Sequence, residues 1–182
     1  MLQSAKIQHR RHRRAMAHAI RGGFTLVEIL IVVVILSIIA AIVIPRMSNA
    51  SMEARENMLR DDLRFLRSQI ALYRAQHHDR APGTILGGGG APSGATFVAQ
   101  LTTYSDDSGN TSAVQTPAYP YGPYLLAMPR SPMNEKSDVL LSTAGTLPSV
   151  DDTTGWIYDP TMPEIIANQS GSDTGGVPFA TY

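Results

Sequence analysis

Between Phe24 and Ile44 the sequence runs FTLVEILIVVVILSIIAAIVI, 21 residues in which Glu28 is the one charge. In a helix rising 1.5 Å per residue, about 20 apolar residues span the roughly 30 Å hydrocarbon core of a bilayer. A core helix of a soluble domain ordinarily keeps a polar face. This stretch has none, so a transmembrane helix is expected over residues 24–45. The residues before it suggest an orientation. Residues 1–23 hold six basic side chains (Lys6, Arg10, Arg11, Arg13, Arg14 and Arg21), three of the five histidines and no acid. That asymmetry predicts a cytoplasmic N-terminus, with the remainder of the chain on the other side of the membrane.

The charges are segregated along the chain. All 182 residues together carry 15 basic and 15 acidic side chains, but residues 24–182 carry 9 bases against 15 acids. An acidic body lacks the basic patch that phosphate tracking requires, which argues against nucleic acid as a partner. The chain has no cysteine, so disulfides, thiolate metal sites and thiol nucleophiles are excluded.

An ordinary secretory signal is the rival reading of the N-terminus: a basic region, an apolar region and a small-x-small cleavage site. Ser48-Asn49-Ala50 after Pro45 would serve as that site. The apolar run is longer than such signals use, and a carboxylate near its start gives them no benefit. Glu28 therefore needs a function of its own, because an ionisable group at the edge of a membrane span is costly.

Gly22-Gly23-Phe24-Thr25-Leu26-Val27-Glu28 and the apolar run after it resemble the processing signal of type IV pilins and type II secretion pseudopilins. The resemblance implies cleavage between Gly23 and Phe24 by a membrane-embedded prepilin peptidase, and N-methylation of Phe24 by the same enzyme. It gives Glu28 the family's assembly glutamate and Pro45 the family's helix-kinking proline. The 23-residue leader is longer than many in the family, and it leaves Arg10–Arg14 without a role. The chemistry agrees with the resemblance. A cut before the apolar run keeps the membrane helix, and the new amine at Phe24 lies four residues from Glu28, so the two charges can compensate in a poorly solvated place. The alternative is an acid that snorkels to the headgroups.

Over 46–80 the helical period continues but becomes one-sided. Leu59, Leu63, Leu66, Ile70 and Tyr73 form an apolar face. Arg60, Asp61, Asp62, Arg64, Arg67 and Arg74 lie on the others, with Glu56 and Arg60 spaced for an i,i+4 pair. A helix from Phe24 to His77 would be roughly 80 Å long, kinked or locally melted near Pro45, and ended by Ala81-Pro82-Gly83.

Residues 81–182 contain 13 glycines and 11 prolines, so they read as a loop-rich β domain. Residues 85–96, with four consecutive glycines, read as a flexible loop, and 97–101 as a short helix or strand. Gly155–Asp159 and Glu164–Asn168, around a turn bounded by Pro160 and Pro163, read as a β-hairpin. The expected fold is α+β and pilin-like: a long N-terminal helix packed on a small antiparallel sheet of three or four strands.

Residues 122–134 and the hairpin GWIYDPTMPEIIAN resemble stretches of the major pseudopilin of type II secretion and of bacterial proteins related to it. The tail Ser170–Gly176 is similar to that family's C-terminal loop, where an aspartate and neighbouring oxygens hold Ca²⁺. Here Asp173 is the one clear carboxylate donor, the family's second aspartate is missing, and Asp151 and Asp152 are the acids left to fold in. Calcium takes six to eight oxygens, and a polar surface loop is the favoured alternative.

Catalytic constellations are poor. His77-His78-Asp79 reads as a solvated helix end that favours imidazolium. Ser142-Thr143 lacks a hydrolase motif, and the glycine run lacks a P-loop lysine. Asp106-Asp107 and Asp151-Asp152 read as solvated turns. No enzymatic activity is expected.

The resemblance implies a structural subunit of a type II secretion pseudopilus, held in the inner membrane with its domain in the periplasm. The implied partners are the prepilin peptidase/N-methyltransferase, identical subunits, minor pseudopilins, and the assembly platform with its ATPase. A type IV pilus subunit for adhesion, motility or DNA uptake shares the N-terminus. A membrane-tethered or secreted binding domain is the reading from another class.

Overall fold

The computed structural model describes residues 23–87, 91–143 and 145–182, with the side chains of 45–49 left aside. Residues 1–22, most of the expected leader, including Gly22 and the basic cluster, and Gly88–Gly90 of the glycine run lie outside the described residues. The chain divides between Val43 and Ile44 into two units, each described on its own below.

Helix α1 (Leu26–Gln76) begins in the first unit and ends in the second. Its helical hydrogen-bonding pattern passes through Pro45 without interruption, so the local melting expected there is absent. A proline removes one hydrogen bond and leaves the neighbouring turns intact. The helix stops at Gln76, one residue before the expected His77. His78 (φ 56°) and Asp79 (φ 62°) turn left-handed, and Asp79 N–H closes the end on Arg74 O at 2.8 Å.

In the second unit the apolar face read from the spacing is the core. Leu59, Leu63, Leu66, Ile70 and Tyr73 are all buried. They pack with Phe97 and Leu101 of α2 (Gly94–Thr102), with Tyr124 and Leu125, and with Trp156, Tyr158, Ile165 and Ala167. Helix α2 begins inside the segment read as a loop. Ser93 accounts for this: its hydroxyl accepts the Thr96 N–H at 3.1 Å and caps the first turn.

Strands β1 (Tyr104–Ser105) and β2 (Thr111–Ser112) form an antiparallel pair. Asp106 closes their turn by accepting from Ser108 N–H and Asn110 N–H, each at 2.9 Å. The main sheet has three strands in the order β3 (Val139–Leu141), β4 (Trp156–Asp159), β5 (Glu164–Ala167). The β4–β5 hairpin is antiparallel as expected, pairing Trp156 with Ala167 and Tyr158 with Ile165. Strand β3, however, runs parallel to β4, so the sheet is mixed and not purely antiparallel. The connection from Ser142 to Gly155 is long enough for the crossover that a parallel pair needs.

Backbone crowding decides two glycines. Gly122 has φ +81°, and a Cβ there would lie 2.6 Å from Thr103 O. At Gly155, where the chain enters β4, a Cβ would lie 2.1 Å from Lys136 O. The segment after Gly122 straps the domain. Tyr124 and Leu125 N–H both donate to Leu101 O at 2.9 Å, and Trp156 Nε1–H donates to Pro129 O at 3.0 Å. Asn134 Nδ2 reaches Thr154 O and Asn168 O, and Arg55 reaches Pro132 O.

Candidate functional site

In the first unit, α1 from Leu26 to Ile44 is long and apolar enough to cross a membrane, and every described side chain from Gly23 to Ile44 is exposed. Phe24 is 77% exposed. A side chain added at Gly23 would meet nothing within 4 Å among the described residues, so packing against them does not demand glycine there. Thr25 Oγ1 accepts the Glu28 N–H at 3.1 Å, and Thr25 O accepts Ile29 N–H at 3.3 Å. Thr25 therefore caps the helix, and Glu28 lies in its first turn, where a carboxylate complements the helix dipole. The Thr-x-x-Glu spacing of a capping box is the sequence signal that would have identified Thr25. The Glu28 carboxylate has no partner among the described residues. Ser37, the one other polar side chain of the span beyond its first turn, donates its hydroxyl to Val33 O at 2.7 Å, which satisfies it inside the helix.

In the second unit the outward face of α1 carries a further apolar row. Met58, Phe65 and Leu72 recur every seventh residue and are 59%, 49% and 46% exposed. They lie on a different face from the buried row, because seven residues are close to two helical turns. The sevenfold spacing was the available signal, although the surrounding charges obscured it. Asp62, beside this row, has its carboxyl raised above the usual range by partial desolvation and by Asp61.

The C-terminal loop is tied to α1 through residues expected to pair with each other. Arg60 Nη2 donates to Asp173 Oδ2 at 2.5 Å, and Glu56, 3% exposed, accepts Thr174 N–H at 2.8 Å and Thr174 O–H at 3.0 Å. Neither forms the i,i+4 pair. Nothing in the local sequence shows this, because each partner lies over a hundred residues away. Asp173 Oδ1 accepts N–H groups of Gly175 and Val177, both at 2.8 Å, and Oδ2 also accepts the Tyr182 hydroxyl at 2.5 Å. The Tyr182 and Val177 donors hold the Asp173 carboxyl below its usual range. Desolvation, together with the hydrogen bond to Asp173, pushes the Tyr182 phenol up to about 12.

These surroundings do not fit a calcium ion. Among the described residues, the Asp173 carboxylate is met by hydrogen-bond donors from Arg60, Gly175, Val177 and Tyr182. Asp151 is engaged by Asn168 and Thr153, and Asp152 by the N–H and hydroxyl of Ser170. Among the described residues no group of three His, Cys, Asp or Glu converges.

His77 corrects the reading of a solvated imidazolium. It is 1% exposed and stacks on Tyr73 with ring centroids 3.8 Å apart. Its Nδ1–H donates to Tyr73 O at 2.8 Å, and Nε2 accepts the Ser105 hydroxyl at 3.0 Å. Burial lowers its pKa, outweighing the hydrogen bond to Tyr73 O. His78 is exposed, so the two histidines do not form a ligand pair.

The family described as the prokaryotic N-terminal methylation motif matches residues 19–44, which include Gly23, Phe24 and Glu28. The type II secretion system core protein G of Dickeya chrysanthemi is 30% identical over 134 residues, covering 73% of this chain and 84% of that protein. The protein of the same name from Pseudomonas aeruginosa is 35% identical over 54 residues, covering 30% of this chain and 38% of its own length. No solved structure matches the chain.

Proposed function

The chain belongs to the family of the type II secretion system core protein G, and from that membership we propose that it is the major structural subunit of a type II secretion pseudopilus. The observation that carries this reading is apolar surface that the described residues do not cover. The 26–44 span is exposed on all faces, and Met58, Phe65 and Leu72 extend outward from a helix that already has a complete core row. Contiguous exposed apolar surface marks a membrane or an interface. A pseudopilin needs both in turn: lipid before assembly, and neighbouring helices afterwards.

In this reading residues 1–23 are a leader, 24–45 the inner-membrane anchor, 46–80 the amphipathic spine and 81–182 the periplasmic domain. A prepilin peptidase cuts at Gly23–Phe24 and methylates Phe24. The open space at Gly23 supports this, since the glycine serves no packing need among the described residues. The Glu28 carboxylate, without a partner among the described residues, receives the Phe24 amine of an incoming subunit and sets its register. Minor pseudopilins and an inner-membrane platform with its ATPase are the further partners. The role is structural, not enzymatic.

The test is the mass of the mature chain in cells that carry the peptidase. N-methyl-Phe24 is the expected terminus, and Gly23→Leu should keep the leader while still inserting. A mature chain beginning at Ser51, or normal trimming of Gly23→Leu, would overturn the reading.

A further inference from the structure

A calcium ion stands about 2.3–2.6 Å from a carboxylate oxygen. In the C-terminal loop that position at Asp173 Oδ2 is filled by Arg60 Nη2 at 2.5 Å. The guanidinium is held from a second side as well: it lies 4.3 Å from the centre of the Tyr182 ring and donates to the Tyr182 hydroxyl at 2.5 Å. That hydroxyl donates in turn to Asp173 Oδ2, so arginine, phenol and carboxylate close a three-membered ring of hydrogen bonds. The Asp173 side chain is 5% exposed and that of Arg60 34%, so the carboxylate is the buried member of the pair. In such a place an ion pair with good geometry and its remaining lone pairs satisfied is retained, and removing one partner is strongly destabilising.

The rest of the loop is also closed on itself. Asp173 N–H donates to Val177 O, Gly176 N–H to Asp173 O and Phe179 N–H to Gly171 O, which occupies three carbonyls that a cation would otherwise use. One turn before Arg60, Glu56 holds Thr174. Two successive turns of α1 thus grip two successive residues of the loop with opposite charges.

We infer that the Arg60 guanidinium replaces the divalent cation in this chain, so that the loop from Ser170 to Val177 is locked onto α1 by an internal ion pair and is independent of calcium. A dication brought to Asp173 would have to displace a guanidinium that already donates to Asp173, Tyr182 and Asn57 and lies over the Tyr182 ring, and it would gain one carboxylate in return. This goes beyond the filament reading and does not depend on it, since the lock acts within a single subunit.

The experiment is thermal unfolding of the detergent-solubilised full chain, in chelator and in millimolar calcium chloride. A ligand that binds only the folded state raises Tm by mass action. For the wild type Tm should agree within about 1 °C between the two conditions, and Arg60→Gln should lower it by about 5 °C in both. Tyr182→Phe removes one hydroxyl and leaves the ion pair, and should lower Tm by about 2 °C. A calcium-dependent rise of several degrees in the wild type overturns the inference. So does an Arg60→Gln variant as stable as the wild type. The calcium comparison on the wild type needs no variant to fold, and Tyr182→Phe still tests the lock should Arg60→Gln not fold.

Discussion

From Leu26 to Ile44 every described side chain of α1 is exposed, whereas from Leu59 to Tyr73 one face of the same helix is 0–3% exposed. Both stretches are apolar at the positions that matter. In the first, Val, Ile and Leu occupy all sides, and none of the described residues covers them. In the second, apolar residues recur at helical spacing, and α2, β4 and β5 cover them. Burying a leucine or isoleucine contributes about 1.5–3 kcal/mol. The second stretch receives that stabilisation within one chain. The first receives it only from lipid or from other subunits, so the two stretches should respond to mutation in opposite ways.

The largest separation is expected at Glu28. Glu28→Val leaves the span more apolar and the folded domain unchanged, so insertion and Tm should match the wild type. Filament recovery should fall at least about tenfold, the equivalent of roughly 1.4 kcal/mol of assembly free energy. Cells expressing the variant as the only copy give the answer; a wild-type filament yield would show that the carboxylate does not direct assembly.

Two substitutions two residues apart test the opposition within the second stretch. Leu63→Ala opens a cavity in the core and should reduce the domain's stability by about 3 kcal/mol, read as a large drop in Tm. Phe65→Asp alters the outward row and should change stability by only about 0.5 kcal/mol, yet reduce filament yield several-fold. If Phe65→Asp destabilises the domain as much as Leu63→Ala, the outward row is part of the core and the comparison fails.

The smallest effect expected is the pH response of His77. Its pKa is lowered by burial in the folded domain, while in the unfolded chain it stays near about 6.5. The folded state therefore binds fewer protons. The His77 contribution is fully present above about pH 6.5 and is lost as pH falls below that value. Tm measured from pH 8 to 5 should decline on the acid side, and His77→Gln should flatten that decline. An unchanged slope would place the titration elsewhere.

Much of this molecule was legible because its signals are local. The apolar run, the helical spacing of Leu59 to Tyr73 and the proline-bounded hairpin each express a period that the backbone imposes on neighbouring residues. Those are the α1 span, the core row and the β4–β5 pair. The N-terminal methylation motif that matches residues 19–44 is equally local, a pattern of neighbouring residues that needs no structure to be seen. Several readings that changed involve partners distant along the chain, whereas the start of α2 and the end of α1 were decided by local hydrogen bonds at Ser93 and Arg74. Strand β3 pairs parallel to β4 across a long connection, which no turn signal announces. His77 looks like a solvated helix end until Tyr73, Ser105 and Tyr121 close around it.

Glu56 and Arg60 show the division most clearly. Their spacing on α1 follows from the sequence, and so does their opposite charge. Tertiary structure alone decided that they face a loop more than a hundred residues away, where Arg60 neutralises Asp173 and Glu56 holds Thr174. The physical reason is desolvation. On an open helix surface an i,i+4 pair is worth only a few tenths of a kcal/mol, and once the loop folds against the helix a charge left without a partner there becomes costly, so each side chain turns to the group that burial has brought beside it.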